Sequence, residues 1–464
     1  MTVKKRALLV FSAFLTCCVA LFAARMALAD DAVVKVGVAM DQTGPLSIEG
    51  RKGLTAWKWY AEYINEEQGG LKDADGNTVK LEVLQGDTGF NPRKTMSLYK
   101  KFKEEGAVAI ATVGSVEVAA IRSQALKDKM PLPTNSGSLI YPLPSPCFAH
   151  WPDYTACSAA VIDYVKEKWA KSNSAWTRKR RPRMVFMGPE AYPSWEASIT
   201  PEVMRYAKLQ GVDVVGKLFF PIHPIDVKPQ ILSAKAVGPD FIYTGVVVSQ
   251  GGAVVRDVYD LGLTGDPTQE EGKIEVIGMF PMSALEMIKL AGGRPEAVKG
   301  MKIAGSHAYV WEEGPTLELI RRYAKKHGEE ELLDHNYVHE WYDAMRTGEA
   351  IKRALQKVPA EKVKGNDVWE AFLTLKDFDT GGIVPGKVTF SEEKRVGLEK
   401  VRLDEVVGEK GKLQLVTYAD YKMLAPMYTE EYAKKHGKKS IYSMESLKLL
   451  GLDVEDVGYK RITK

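Results

Sequence analysis

Three serines carry the first chemical suggestion in this sequence. Ser115 stands between an apolar run, Val108 to Ala111, and a segment from Val116 to Lys129. In that segment apolar residues recur at helical spacing, at Val116, Ala119, Ala120 and Leu126. A serine at a strand-to-helix junction can offer its hydroxyl, with the free amides of the first helical turn, to an anion. Ser136 and Ser138 lie in the polar loop that follows Pro131-Leu132-Pro133. Strand, helix and strand predict one right-handed βαβ unit. Such a unit brings its two loops together at the carboxyl edge of the sheet, where open α/β folds bind ligands. Ser136 and Ser138 would then face Ser115 across a common anion site. Taken alone, the same residues favour the plainer reading, a helix-start serine and an ordinary Ser/Gly turn.

Other reactive types are present without a completing pattern. His335 and His339 are four apart on a predicted helix, but the His-Glu-x-x-His order of a zinc protease is absent. They read as two solvated or half-buried helix histidines, and no metal is expected. No Walker loop, Gly-x-Ser-x-Gly elbow or Cys-x-x-Cys occurs, and no cofactor is expected. An exported hydrolase with Ser115 as nucleophile is the outside reading; it lacks the flanking glycines and an assignable base. The run Arg178-Lys179-Arg180-Arg181-Pro182-Arg183 could meet nucleic acid or anionic lipid. Without interleaved aromatics or a wider basic excess it reads as a solvated loop.

The amino terminus reads as an export signal. Lys4, Lys5 and Arg6 precede an apolar run from Ala7 to Ala24, and Ala27-Leu28-Ala29 offers a small-x-small cleavage site. Cys17 and Cys18 sit in a poor lipobox. Cleavage after Ala29 removes Lys4, Lys5, Arg6 and Arg25, taking the 64 basic residues to 60, equal to the 60 acidic ones. That balance gives no reason to expect nucleic acid as partner. The expected location is the periplasm, and the remaining length suits two domains. Cys147 and Cys157 remain, a close pair in an exported chain, which suggests a disulfide; two reduced buried thiols are the alternative.

Strand and helix patterns alternate along the chain. Val33 to Met40 predicts a strand, Leu54 to Glu67 a helix, Asp75-Gly76 a hairpin turn, Val79 to Leu84 a strand and Arg93 to Glu105 a helix. Pro142 to Asp153, with four prolines, reads as a crossing into a second lobe. Helix and strand patterns resume from Ala156 to Met279, and Asn336 to Leu355 predicts a long helix.

The chain resembles the type I periplasmic binding proteins, in their leucine/isoleucine/valine-binding branch. The resemblance rests on Gly44-Pro45 followed by Gly50, Asp87-Thr88 followed by Asn91-Pro92, and Ser115 with the Ser136–Ser138 loop. It continues through Pro239-Asp240-Phe241-Ile242-Tyr243, Leu261-Gly262-Leu263, Tyr342-Asp343-Ala344, and Asp379 to Phe390, and so spans residues 33–420. It implies two doubly wound α/β lobes that close like a flytrap about a three-strand hinge near 149–153, 305–309 and 379–382. Residues 30–150 with 308–380 would form one lobe and 151–307 with 381–420 the other. The tail 421–464 has no assigned role. The implied function is a monomeric solute-binding protein, not an enzyme, serving the permease of an ABC importer; a sensor for a membrane receptor is the alternative.

The resemblance also suggests site residues. Ser115, Ser136 and Ser138 would hold the ligand's carboxylate, and Tyr192 would line the cleft. In the amino-acid-binding relatives an acidic residue after a second-lobe strand meets the ligand's ammonium; here Phe280 falls about there. A second-lobe tyrosine is likewise replaced within Val246-Val247-Val248. A buried ammonium without a partner costs several kcal/mol. The expected ligand is therefore an aromatic or aliphatic acid lacking an α-amino group. Glu49, where relatives often carry an aromatic, is the residue that could restore an ammonium partner and with it an amino-acid ligand.

Overall fold

A computed structural model describes residues 32–463 apart from 135, 136, 138, 223, 246, 284, 285, 409–411 and the side chains at 281 and 283. The predicted export signal lies outside the described residues.

The first lobe begins with β1 (Ala32–Met40), α1 (Ser47–Glu62), β2 (Leu71–Lys72) and β3 (Thr78–Asp87). It continues with α2 (Pro92–Glu104), β4 (Ala107–Ala111), α3 (Ser115–Asp128), β5 (Leu132–Thr134) and β6 (Cys147–Ala149). The sheet order is β2-β3-β1-β4, with β1 parallel to both β3 and β4 and β2 folded back antiparallel through the predicted Asp75-Gly76 turn. The parallel pair β5-β6 adjoins β4 through the Thr112–Thr134 bridge. Val36, Gly37, Val38, Ala39 and Met40 of β1 are buried in succession, the pattern of a central strand covered on both faces. Gly37 lets α2 approach: a Cβ there would stand 2.5 Å from the Phe102 ring.

The second lobe holds α4 (Tyr154–Lys171), β7 (Arg183–Pro189), α5 (Pro193–Ser198), α6 (Pro201–Gln210), β8 (Asp213–Phe220) and α7 (Lys228–Ala236). It goes on with β9 (Phe241–Thr244), α8 (Val248–Asp260), β10 (Glu275–Met279), α9 (Glu286–Leu290) and β11 (Lys302–Gly305). The chain then returns to the first lobe for α10 (Pro315–His327), α11 (His335–Leu355) and α12 (Gly365–Phe372). Finally β12 (Lys400–Val407) and β13 (Lys412–Asp420) extend the second sheet, whose order is β13-β12-β11-β10-β9-β7-β8. The strands from β11 to β8 run parallel; β12 and β13 form an antiparallel edge. Among the described residues no helix is long and apolar enough to cross a membrane.

Three expectations change. The third crossing does not fall at 379–382. Ile383, Val384, Val388, Phe390, Val396 and Leu398 pack in the first-lobe core, and Val401 and Leu403 pack beside Ala160 of the second. The crossing is therefore at 398–401. Second, Cys147 and Cys157 are both free and buried. Cys147 belongs to the core under α2 and α3 and Cys157 to that of the second lobe, so the two thiols are sealed in separate interiors. Third, His335 and His339 are buried, not solvated.

The tail acquires a place. Ile441, Tyr442, Leu447 and Leu450, the last two in and beside α14 (Met444–Leu449), fill the second-lobe core; α13 (Glu430–Lys435) precedes them. Just before α13, the strand-like stretch around Tyr428 reaches the first lobe. Leu143 N donates to Met427 O at 2.9 Å and Thr429 N to Leu143 O at 2.9 Å. Tyr428 Oη also donates to Glu393. The basic run is structural at its centre: Arg180 pairs with both Asp240 oxygens at 2.6 and 2.7 Å and lies over Trp169.

Candidate functional site

The carboxyl edges of the two sheets face each other across a cleft, and the lobes touch there. Ser194 Oγ, in α5, donates to Ser115 Oγ at 2.9 Å. Phe90 of the first lobe packs near Tyr192 of the second, with ring centroids 6.3 Å apart. Lys52 of α1 reaches Glu286 of α9 at 2.7 Å while also holding Asp334 at 2.8 Å. Gly114 is the cap and Ser115 the first helical residue, so the Ser115 side chain does not cap α3 and faces the other lobe instead. Tyr192 is buried, with its ring beside Phe90 of the other lobe. Ser136 and Ser138 lie outside the described residues.

The first-lobe wall carries two carboxyls. Glu117, in the first turn of α3, folds back over Gly114: a Cβ at that glycine would meet Oε2 at 2.0 Å. Its Oε1 accepts from Thr88 Oγ1. Glu49, in the first turn of α1, is 6% exposed, and neither of its oxygens completes a hydrogen bond among the described residues. Burial pushes each carboxyl up to about 7, with Asp334 and Glu286 adding to it at Glu49 and Asp41 and Asp87 at Glu117. The amides of Glu49 and Val248 lie close enough to pull Glu49 partway back. Tyr192 is raised first by burial, then by Tyr154, Glu49 and Glu117. Asp41 behaves differently. Its carboxylate accepts from the amides of Thr43, Gly44 and Leu46 and so shapes the first loop.

The hinge end of the cleft is aromatic. Trp151, on the first crossing, stacks on Phe280 with centroids 3.3 Å apart and meets His339 edge-on at 4.2 Å. His150 and His307 come from two different crossings, with rings 5.4 Å apart. Burial first, then the neighbouring histidines, holds His307 and His339 well below their ordinary pKa, so both are neutral. Burial alone would raise Asp343, but Arg346 and His150 hold its carboxyl low. Among the described residues no set of three or more His, Cys, Asp or Glu side chains is arranged to hold a metal ion. Sequence reasoning missed Glu117, Ser194, Trp151, His150 and His307, and singled out His339 only for its spacing from His335. Only Glu117 had a local signal, two residues after Ser115.

Two doubly wound lobes, crossed three times by the chain and closing over a cleft at their sheet edges, define a two-lobed solute-binding protein of the type I periplasmic fold. The sequence profile of the periplasmic binding protein family matches residues 33–412, and the chain belongs to that family. No curated protein matches the chain. Among solved structures it is similar to a branched-chain amino acid ABC transporter protein from Thermus thermophilus with bound valine. The identity is 18%, over 88% of this chain and 99% of that one, with a TM-score of 0.71. It is also similar to a fatty acid ABC transporter substrate-binding protein from Thermomonospora curvata, at 20% identity, 84% and 92% coverage and a TM-score of 0.68. A solute-binding protein from Rhodopseudomonas palustris HaA2 in complex with p-hydroxybenzoic acid matches at 18% identity, 84% and 97% coverage and a TM-score of 0.66.

Proposed function

We propose that this protein, exported to the periplasm, captures a small carboxylate-bearing solute between its lobes and presents it to the permease of an ABC importer. The observation that carries the reading is the contact of Ser115 and Ser194 across the cleft. The two hydroxyls sit at the mouth of α3, whose first amides favour an anion. The stacked Trp151 and Phe280 supply an apolar end for an aliphatic or aromatic body. The solutes named for the three similar structures are all carboxylic acids. Closing around a solute is a hinge motion about the three crossings.

Thermal-shift screening of carboxylic acids tests the reading. A true ligand at 100 times its Kd stabilises by about 2.7 kcal/mol. Solution scattering should then show a smaller radius of gyration in saturating ligand than without it. A ligand that stabilises without changing the scattering profile would remove the closing mechanism.

A further inference from the structure

We propose that the buried histidines of the hinge make lobe opening a proton-taking step, so that the closed form is kept at neutral pH and given up in acid. The inference rests on the closing motion proposed above. It assigns a role to His150, His307 and His339, which solute capture leaves unused.

The three rings come from three segments that meet at the hinge. His150 lies on the first crossing, His307 on the second and His339 on α11 of the first lobe. Their centroids are 4.6 Å (His307–His339), 5.4 Å (His150–His307) and 6.0 Å (His150–His339) apart. His335, one turn before His339, adds a fourth ring at 4.7 Å, and all four are buried. Trp151 meets His307 at 4.7 Å and His339 at 4.2 Å, and Phe280, carried by the second lobe, stacks on Trp151 and stands 6.0 Å from His339. A hinge motion about the crossings carries Phe280 away from α11 and lets water reach the rings. The charges around the set favour neutral rings. Asp343 of α11 is shared between Arg346 and His150 Nδ1, the latter at 3.3 Å. Glu340 accepts from Trp57 Nε1 at 3.1 Å, and Arg402 of β12 is held by Asp404 and Glu312. Tyr342 lies edge-on to His150 and His307. His307 Nδ1 is 2.9 Å from Ser306 Oγ, while its Nε2 has no hydrogen-bond partner among the described residues. The charges that bear on His307 and His339 are those of neighbouring histidines and, at His307, of Arg346 and Arg402. A proton added to either ring in the closed form is therefore buried without a counter-charge of its own. Hydrated in the open form, each ring returns toward its ordinary value of 6.5. The open form then binds protons first as the pH falls below 6.5, and the closed form loses by up to about tenfold per ring per pH unit until its own rings titrate. Glu49 and Glu117 act with the opposite sign, because burial raises both to about 7 and acid relieves them in the closed form.

The test uses the mature, ligand-free protein carrying Glu49→Gln and Glu117→Gln, which leaves the histidines to set the sign. Solution scattering and circular dichroism are recorded at pH 7.5 and pH 5. The expected result is a larger radius of gyration at pH 5 with the far-ultraviolet spectrum unchanged, reversed on return to pH 7.5. His307→Asn with His339→Gln should remove most of that change. A second measurement keeps every histidine: Ser115→Cys with Ser194→Cys puts two thiols where hydroxyls stand 2.9 Å apart, and oxidation then locks the lobes closed. Potentiometric titration from pH 7.5 to pH 5 should show the locked protein taking up at least one proton fewer than the same protein after reduction. If the histidine variant does not fold, this titration decides. An unchanged radius, a change that comes with loss of the folded spectrum, a change that persists in the folded histidine variant, or equal proton uptake by locked and reduced protein each overturns the linkage. Any of these leaves solute capture standing, and the carboxylic-acid screen judges that reading by itself.

Discussion

The two walls of the cleft are built to different rules. The second-lobe and hinge side is finished: Phe280 lies on Trp151, and Trp151 is closed in by His307 and His339. His307 and His339 on that side are held neutral by burial. The first-lobe wall keeps polar capacity in reserve, in Ser115, Glu117 and above all Glu49. Eight residues before Glu49, Asp41 is equally buried yet has its oxygens engaged by three loop amides. Burial of a carboxyl is thus not the distinguishing mark of a site. The mark is burial without a partner.

The sharpest way to break the contrast is to cut into the finished wall. Phe280→Ala removes the ring stacked on Trp151 and should cost about 3–5 kcal/mol of stability in urea unfolding, as buried aromatic truncations do. A loss under about 1 kcal/mol would show that this wall is not packed as described.

On the unfinished wall the expected sign is opposite. Below pH 4.5 Glu49 is protonated whether the chain is folded or not, and it costs nothing. As the pH rises from 4.5 through about 7 the unfolded chain ionises first, so the folded state loses stability, and the loss is complete above that range. Glu49→Gln should match wild type at pH 4 and exceed it by ~1–3 kcal/mol at pH 8 without ligand. Equal stability at both pH values would mean that Glu49 is solvated.

Ser115→Ala should leave the fold intact and weaken a carboxylate-bearing ligand by roughly 1.5–3 kcal/mol, the worth of a charge-assisted hydrogen bond. An unchanged affinity by calorimetry would move the anion elsewhere. The smallest effect belongs to the rim. Glu286 is 27% exposed, so Glu286→Gln, which breaks its pair with Lys52, should cost under about 1 kcal/mol and the cost should shrink in high salt.

Much of the frame was legible in the sequence because it is written locally. The apolar run at Val108–Ala111, the helical spacing behind Ser115 and the Asp75-Gly76 turn each depend on neighbours within a few residues. What escaped depends on residues far apart in the chain. His150, His307 and His339 come from two crossings and a late helix, and nothing near any one of them announces the others. The stretch 383–398 has no helix or strand period of its own, so its return to the first core is visible only in the packed structure. Cys147 and Cys157 are close in sequence, yet the boundary between two interiors passes between them. Glu117 stands in the first turn of α3, where the helix dipole favours an acid in any case, so its position alone announces no site.

The pairing of Leu143 with the stretch 427–429 has a consequence for time rather than for affinity. The tail is rooted in the second lobe, so this pairing is a tie between lobes that the three crossings do not supply. Any opening that carries Leu143 away from Met427 must break two backbone hydrogen bonds, each worth about 1 kcal/mol net, and expose the small cluster of Leu143, Tyr428 and Ala433. In a protein that captures a solute between its lobes, as proposed above, a clasp of that strength would lengthen the dwell of the solute without touching it. Substitutions at Leu143 or Tyr428, both buried in the clasp, would then shorten that dwell with Ser115 and Trp151 left as they are.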